Sequence, residues 1–482
     1  MTVQAPTIAP TEAPDLVVER NPWVVLLSTG LAVFAVFLDT TILFVAFTAI
    51  GRDYAGVSTA SLSWILNAYT IAFAAMLIPA GRLADRIGRR KTFLSAVVLF
   101  TLASMLCGAA TSVNWLILAR VLQALGAAAL VPSSLALVLQ TFTRSKIPMA
   151  VAIWGAIGAV AGAVGPTLGA LVVQHAGWRW AFYINLPVGL FSLFLGHKVL
   201  PEGRESKPGR FPDLLSIGLL VSGLGSMAYA IVQTEEWGWS SYLFLSTFAA
   251  SVVLIIAFVM RCAAVDNPLF DLSLFKAPSF RWANLAMLAY SIGFSAMFLG
   301  NILFFTRVWH YSIFQAGMAV SVGPLIVATT APLFGRLAGR IGQRRLLIPG
   351  GMVWASGGLF LLLRASATPD YLGTYLPAIF LTGFGVSLCL PQLSSVSVQG
   401  LPKDSFGAGS AVNQAVRNLG STLGVALVIA FTSQAASNDA IVGFRDIWWL
   451  LVTSGAIVSG LCLLLPRPAA APVVVSAPTR VR

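Results

Sequence analysis

An eleven-residue segment occurs twice in this chain. Residues 81–91 read GRLADRIGRRK and residues 335–345 read GRLAGRIGQRR, with eight of the eleven positions identical and an offset of 254. Each copy lies between two long apolar runs, so one basic hairpin is built twice into the same hydrophobic frame. An internal repeat constrains architecture before any single residue does. Repeats with a site at their interface are the usual plan of a secondary transporter. A single basic loop would read as a solvated turn. A duplicated one, in register with apolar segments, points to two related bundles.

Hydrophobic residues make up 57% of the 482 and charged residues 10%, against roughly 25% charged in soluble domains. Fourteen apolar runs start near Trp23, Leu62, Thr92, Trp115, Met149, Trp180, Leu214, Tyr242, Trp282, Gly317, Leu346, Leu372, Gly407 and Ile447. Crossing a bilayer takes roughly 18 to 20 such residues. The predicted fold class is therefore all-α and integral to the membrane. The first copy of the repeat joins the second and third runs and the second joins the tenth and eleventh, a shift of eight. Two six-helix halves joined directly would shift it by six, so two extra central helices are expected, about 213–233 and 242–261. The predicted organisation is a disordered cytoplasmic tail (1–22), an N-terminal six-helix bundle (23–200), a linker with two extra helices (201–278), a C-terminal six-helix bundle (279–465) and a second disordered tail (466–482). No cleaved signal peptide is expected, since no basic n-region or small-residue cleavage site precedes the first run. Asp213 reads as the N-cap of the seventh helix.

A net charge of +13 invites a nucleic-acid partner, until the charges are placed. With the N-terminus inside, 23 of the 30 Lys and Arg fall in tails and loops on that side and five on the other, with Arg120 and Arg417 inside spans. That asymmetry follows the positive-inside rule. It places both termini in the cytoplasm and makes the bilayer, not nucleic acid, the partner. Cys107, Cys262, Cys389 and Cys462 lack CxxC spacing and read as packing residues. No GxxxxGK[ST] loop is present to bind ATP. The three histidines, His175, His197 and His310, sit at span ends without an HExxH partner. No metal or cofactor is expected, and a membrane-embedded transferase would need a convergent acid, base or metal set.

Asp39 is the one carboxylate well inside a run. A charge at the bilayer centre costs about 2.5–3.5 kcal/mol on insertion scales, which makes such a residue a functional candidate. The structural alternative is a hydrogen-bonding partner for a neighbouring helix. Burial raises a carboxyl pKa and a nearby cation lowers it, so a buried acid beside a mobile cation can switch a proton on and off. Arg120, with Gln123 a turn further along, stays protonated and needs a partner or water. Asp39 is the expected partner; snorkelling to the interface is the alternative. Asn413 and Arg417 form a second polar face, suited to packing or to substrate contact. Glycines 155, 158, 162, 165 and 169 form one stripe on the fifth helix, where another helix can approach closely. Pro166 is expected to kink that helix.

The ordered set of motifs resembles the fourteen-helix drug:proton antiporter family of the major facilitator superfamily. It comprises Leu38-Asp39-Thr40-Thr41-Ile42, GRLADRIGRRK, Arg120-x-x-Gln123-x-x-Gly126, Gly165-Pro166-x-x-Gly169, Trp178-Arg179-Trp180-x-Phe182-x-x-Asn185-x-Pro187, Pro268-Leu269-x-Asp271-x-x-Leu274-Phe275, and Asn413-x-x-x-Arg417-x-x-Gly420-x-x-x-Gly424. The resemblance spans about residues 23–465. It implies the major facilitator fold and a monomeric, proton-coupled plasma-membrane exporter of lipophilic small molecules such as drugs, antiseptics or secondary metabolites. The alternative of the same fold is a proton-coupled metabolite importer. The resemblance further implies that Asp39, Arg120 and Gln123 handle proton or substrate, and that Gly81, Asp85, Arg86, Gly88, Arg89 and Arg90 form a gating loop that clasps the two halves. Gly158, Gly162, Gly165, Pro166 and Gly169 would form the antiporter-motif helix, and Phe44, Tyr69, Asn413 and Arg417 would line a cavity. Three positions depart from the family pattern. Phe44 replaces a frequent Asn, Thr48 a frequent Pro, and Arg307 a frequent Gln; Gly339 also stands where the first repeat has Asp85. An apolar cavity near Asp39 is expected, preferring neutral, zwitterionic or monocationic amphiphiles over dications.

Overall fold

The computed structural model of the protein describes residues 21–143, 146–202, 213–266, 268–399, 401, 406–434 and 441–466. The two expected tails, apart from Asn21, Pro22 and Pro466, and residues 203–212 ahead of α7 lie outside the described residues. Fourteen helices among the described residues are long and apolar enough to cross a membrane. They are α1 (Pro22–Asp53), α2 (Thr59–Ile87), α3 (Arg89–Gly108), α4 (Val113–Thr141), α5 (Ile147–Ala176), α6 (Trp180–Val199), α7 (Leu214–Val232), α8 (Tyr242–Ala264), α9 (Pro278–Arg307), α10 (Ile313–Ile341), α11 (Arg344–Arg364), α12 (Tyr371–Gln399), α13 (Phe406–Gln434) and α14 (Val442–Leu463).

Local chemistry marks the helix ends. Asn21, Ser58, Ser112, Ser241 and Ser312 each cap a helix N-terminus, accepting from a backbone N–H of its first turn, and so satisfy a donor that has no intrahelical partner. Asp213 caps α7 as expected, through Ser216 N at 3.1 Å, and also accepts from Arg261 of α8 at 2.8 Å. The repeated segment is less of a loop than the sequence suggests. α2 continues through Asp85 to Ile87 and α10 through Gly339 to Ile341. The chain turns only at Gly88 (φ 119) and Gly342 (φ 87), a backbone conformation that glycine adopts without steric cost.

The packing repeats with the same offset of eight helices as the sequence. α1 packs along α5, α4 and α6 just as α9 packs along α13, α12 and α14; α3 packs on α4 and α6 as α11 does on α12 and α14; α2 packs on α4 as α10 does on α12. Between the halves, α2 meets α13 and α5 meets α10, a pair of seams related by the same exchange. The extra pair breaks this symmetry. α7 lies against both α2 and α13 and so covers one seam, while α8 packs on α7.

The seams are not closed along their whole length. Hydroxyls of Thr70 and Thr422 meet at 2.6 Å across α2 and α13. On the α5–α10 seam, Thr167 bonds Ser321, Gln174 accepts from Phe314 N at 3.0 Å, and Gly317 rests on Pro166 and Ala170. All three lie in the part remote from the repeated basic segments. There, α1 and α9 residues such as Val45, Ile50, Leu299 and Phe305 share one continuous core. Toward the basic end, α5 and α10 part. Gly155 and Gly162 of α5 and Gly335 and Gly339 of α10 all face no atom within 4 Å. A cleft between the halves thus opens at the basic end.

Candidate functional site

α1, α2, α3, α4 and α6 meet around Asp39. Arg120 Nη1 donates to Asp39 Oδ2 at 2.6 Å, while Gln123 Nε2 and Asn185 Nδ2 donate to Asp39 Oδ1 at 2.9 and 3.0 Å. Only 1% of either charged side chain is exposed. Arg120 is held further by donation to Gln123 Oε1 at 2.6 Å and to Ile65 O at 3.2 Å, and its guanidinium lies 4.0 Å over the Tyr69 ring. Asn185 also donates to Ser104 Oγ at 3.0 Å, and Ser104 in turn donates to Phe182 O at 2.9 Å. A charge pair taken out of water persists only with good geometry and further hydrogen bonds, and this pair has both.

The sequence placed Asp39, Arg120 and Gln123 together, and the structure does so; the snorkelling alternative for Arg120 is ruled out by its burial. Asn185 and Ser104 were not anticipated as members. A signal for Asn185 was available, an Asn well inside an apolar run that needs partners in a membrane, but the sequence does not say which helix supplies them.

The cavity expectation separates into different places. Tyr69 is buried beneath Arg120 and does not line the cleft. Phe44 is buried against Phe298 of α9, ring centroids 5.2 Å apart, in the closed part of the molecule. Asn413 is buried too, donating to Asn284 of α9 at 3.0 Å. Arg417 alone of the four is partly exposed, its guanidinium 5.8 Å from the Phe37 ring of α1 across the cleft.

The glycine stripe is likewise divided. A Cβ at Gly158 would touch Phe37, at Gly165 it would overlap Thr41, and at Gly169 it would press on Ile42 at 3.1 Å, all on α1. Gly155 and Gly162 face no atom within 4 Å. α5 is therefore gripped by α1 on one side and by α10 at Pro166 and Ala170 on another.

The expected clasp between halves is not formed in this arrangement. Asp85 accepts from Arg89 at 3.2 Å within its own hairpin, and Arg90 donates to His197 O of α6 at 2.7 Å. Gly81 lies against Pro132 of α4, Gly88 makes the turn, and Arg86 is exposed. Arg82 reaches furthest, donating to Pro268 O beyond α8 at 3.3 Å. With α5 and α10 parted at this end, no residue of the C-terminal half is brought to Asp85 among these bonds.

A sequence model described as Major Facilitator Superfamily matches residues 29–308 and again 283–480. The chain is 35% identical over 410 residues to the multidrug resistance protein Stp of Mycobacterium tuberculosis, covering 85% of this chain and 75% of that protein. It is 31% identical over 414 residues to the tetracenomycin C resistance and export protein of Streptomyces glaucescens, again covering 85% and 75%. Among solved structures, a D-xylose-proton symporter superposes with a TM-score of 0.64 over 92% of this chain and 97% of that one, at 14% identity. The last likeness concerns the fold alone.

Proposed function

The chain belongs to the major facilitator superfamily, and we propose that it is a proton-coupled exporter of lipophilic small molecules, antibiotics and other drugs among them, working by alternating access in the plasma membrane. Relatives named for multidrug resistance and for export support the direction. The distribution of Lys and Arg supports a cytoplasmic basic end, so that the cleft described above would receive substrate from the cytoplasm.

The observation that carries the coupling is the Asp39 network. It lies entirely within the N-terminal half, yet Asp39 sits on α1, whose Phe37 and Thr41 face the cleft and the glycines of α5. A proton arriving at Asp39 neutralises the carboxylate and leaves Arg120 buried without a counter-charge, an arrangement that costs about 3–5 kcal/mol when one partner of such a pair is removed. Relief requires α1 to shift against α4, and α1 carries that shift to the cleft. Release of the proton to the cytoplasm restores the pair. The helix is thus the mechanical link between proton and substrate.

Everted membrane vesicles with an acidic lumen test the reading. A lipophilic dye is expected to accumulate in the lumen, and its addition to discharge part of the pH gradient, both abolished by an uncoupler. Accumulation that ignores the gradient, or movement only in the opposite direction, would sink the exporter reading.

A further inference from the structure

The cleft has two unlike walls at mid-depth. On α1, Leu31, Phe34, Phe37, Thr40 and Thr41 are the partly exposed positions, an apolar and aromatic stripe at helical spacing that ends in two hydroxyls. Opposite, on α13, the partly exposed positions include Gln414, Arg417, Asn418 and Ser421, spaced as one polar stripe. Arg417 makes no hydrogen bond or ion pair with any described residue; across the gap its guanidinium lies 5.8 Å from the Phe37 ring.

An unpaired guanidinium at membrane depth is costly, and such residues mark substrate pathways. No carboxylate remains to neutralise it. Asp39 is committed to Arg120, Gln123 and Asn185, and the other described acids lie in loops or near helix ends. We propose that Arg417 is the substrate-recognising cation of the cleft and selects flat aromatic compounds that carry a carboxylate. The aromatic body lies along Phe34 and Phe37, the carboxylate takes the forked N–H donors of Arg417, and Gln414 and Asn418 flank it. This rests on the exporter reading and replaces the sequence-based expectation of neutral to monocationic substrates with acids and zwitterions; simple cations are disfavoured because they would face the like charge of Arg417.

The probes are 2-naphthoate, 2-naphthamide and 2-naphthylmethylammonium, equal in shape and different in charge. Equilibrium binding to the purified full-length protein in lipid nanodiscs is measured with no pH gradient, so the result stands whether or not proton-driven export is found in vesicles. Wild type is expected to bind naphthoate at least about tenfold more tightly than naphthamide, as a hydrogen bond to a charged group would give, and the ammonium most weakly. In Arg417→Gln the naphthoate-to-naphthamide ratio falls toward one, and Arg417→Lys lies between. The melting temperature of Arg417→Gln is expected to match or exceed that of wild type, since no partner is lost. Equal binding of acid and amide by wild type, an unchanged ratio in Arg417→Gln, or a variant that fails to fold would each overturn the proposal, the last by making Arg417 a structural cation.

Discussion

Arg90 and Arg344 are the same residue of the two repeats and make the same bond. Arg90 Nη2 donates to His197 O and Arg344 Nη2 to Leu463 O, both at 2.7 Å, each in the last turn of the sixth helix of its half. A cation at that place satisfies a carbonyl left over at the helix end and complements the negative end of the dipole. Arg90→Ala and Arg344→Ala are each expected to lower stability by about 1 kcal/mol. Their effects should add, because the sites share no partner. Asp85→Asn, losing a half-exposed pair with Arg89 at 3.2 Å, should cost less, about 0.3–0.5 kcal/mol. Unfolding of the purified single and double variants checks both statements, and strong non-additivity would contradict them.

Asp39→Asn keeps an acceptor for Gln123 and Asn185 but turns its amide N–H2 toward Arg120 and leaves that cation without a counter-charge, so it is expected to insert and fold with a stability loss of about 3–5 kcal/mol. It should lose dye accumulation driven by a pH gradient while keeping substrate-for-substrate exchange across vesicles. Gradient-driven export at the wild-type rate would remove Asp39 from the coupling role.

Arg120→Ala strands the Asp39 carboxylate in the core and is expected to destabilise by about 3–5 kcal/mol. Arg120→Ala combined with Asp39→Asn should recover part of that loss, giving an interaction energy of at least about 0.5 kcal/mol. Simple additivity in the double-mutant cycle would mean that the 2.6 Å contact carries no coupling.

The glycines of α5 should respond unequally. Gly165→Ala drives a methyl into Thr41 of α1, and overpacking of this kind costs about 1–3 kcal/mol. Gly162→Ala meets nothing within 4 Å and gains about 0.5–1 kcal/mol of helix preference. A comparison of melting temperatures suffices; equal losses at both positions would show that the stripe packs as one surface after all.

Asp213 is held at a pKa of about 2, chiefly by the Arg261 hydrogen bond, which outweighs an opposing desolvation, with the Ser216 hydroxyl and N–H adding to the depression. An unfolded Asp titrates near 3.9. The depressed value makes the ionised form the stabilising one, so its contribution is complete above about pH 4 and is lost as pH falls through about 2. The melting-temperature difference between wild type and Asp213→Asn should therefore be level from pH 8 to about 5 and shrink toward pH 2. A difference that grows on acidification would contradict the α7–α8 contact at this residue.

The sequence by itself determined the number of spans, the eightfold helix offset and the placement of two extra helices. These depend on the length and spacing of apolar runs, which the bilayer imposes locally on each segment. It also determined that Asp39 and Arg120 need partners, because an isolated charge in an apolar run is unfavourable wherever it sits. Tertiary structure alone decided which groups answer that need. Asn185 reaches Asp39 from α6, and Ser104 of α3 accepts from Asn185, because helices far apart in sequence converge there. It also split the glycine stripe between α1 and open space, buried Phe44 and Tyr69 away from the cleft, and left Arg417 facing Phe37 across it. Helical periodicity says which residues share a face, but the partner of that face is set by how the two halves pack, and that packing depends on contacts between residues hundreds of positions apart.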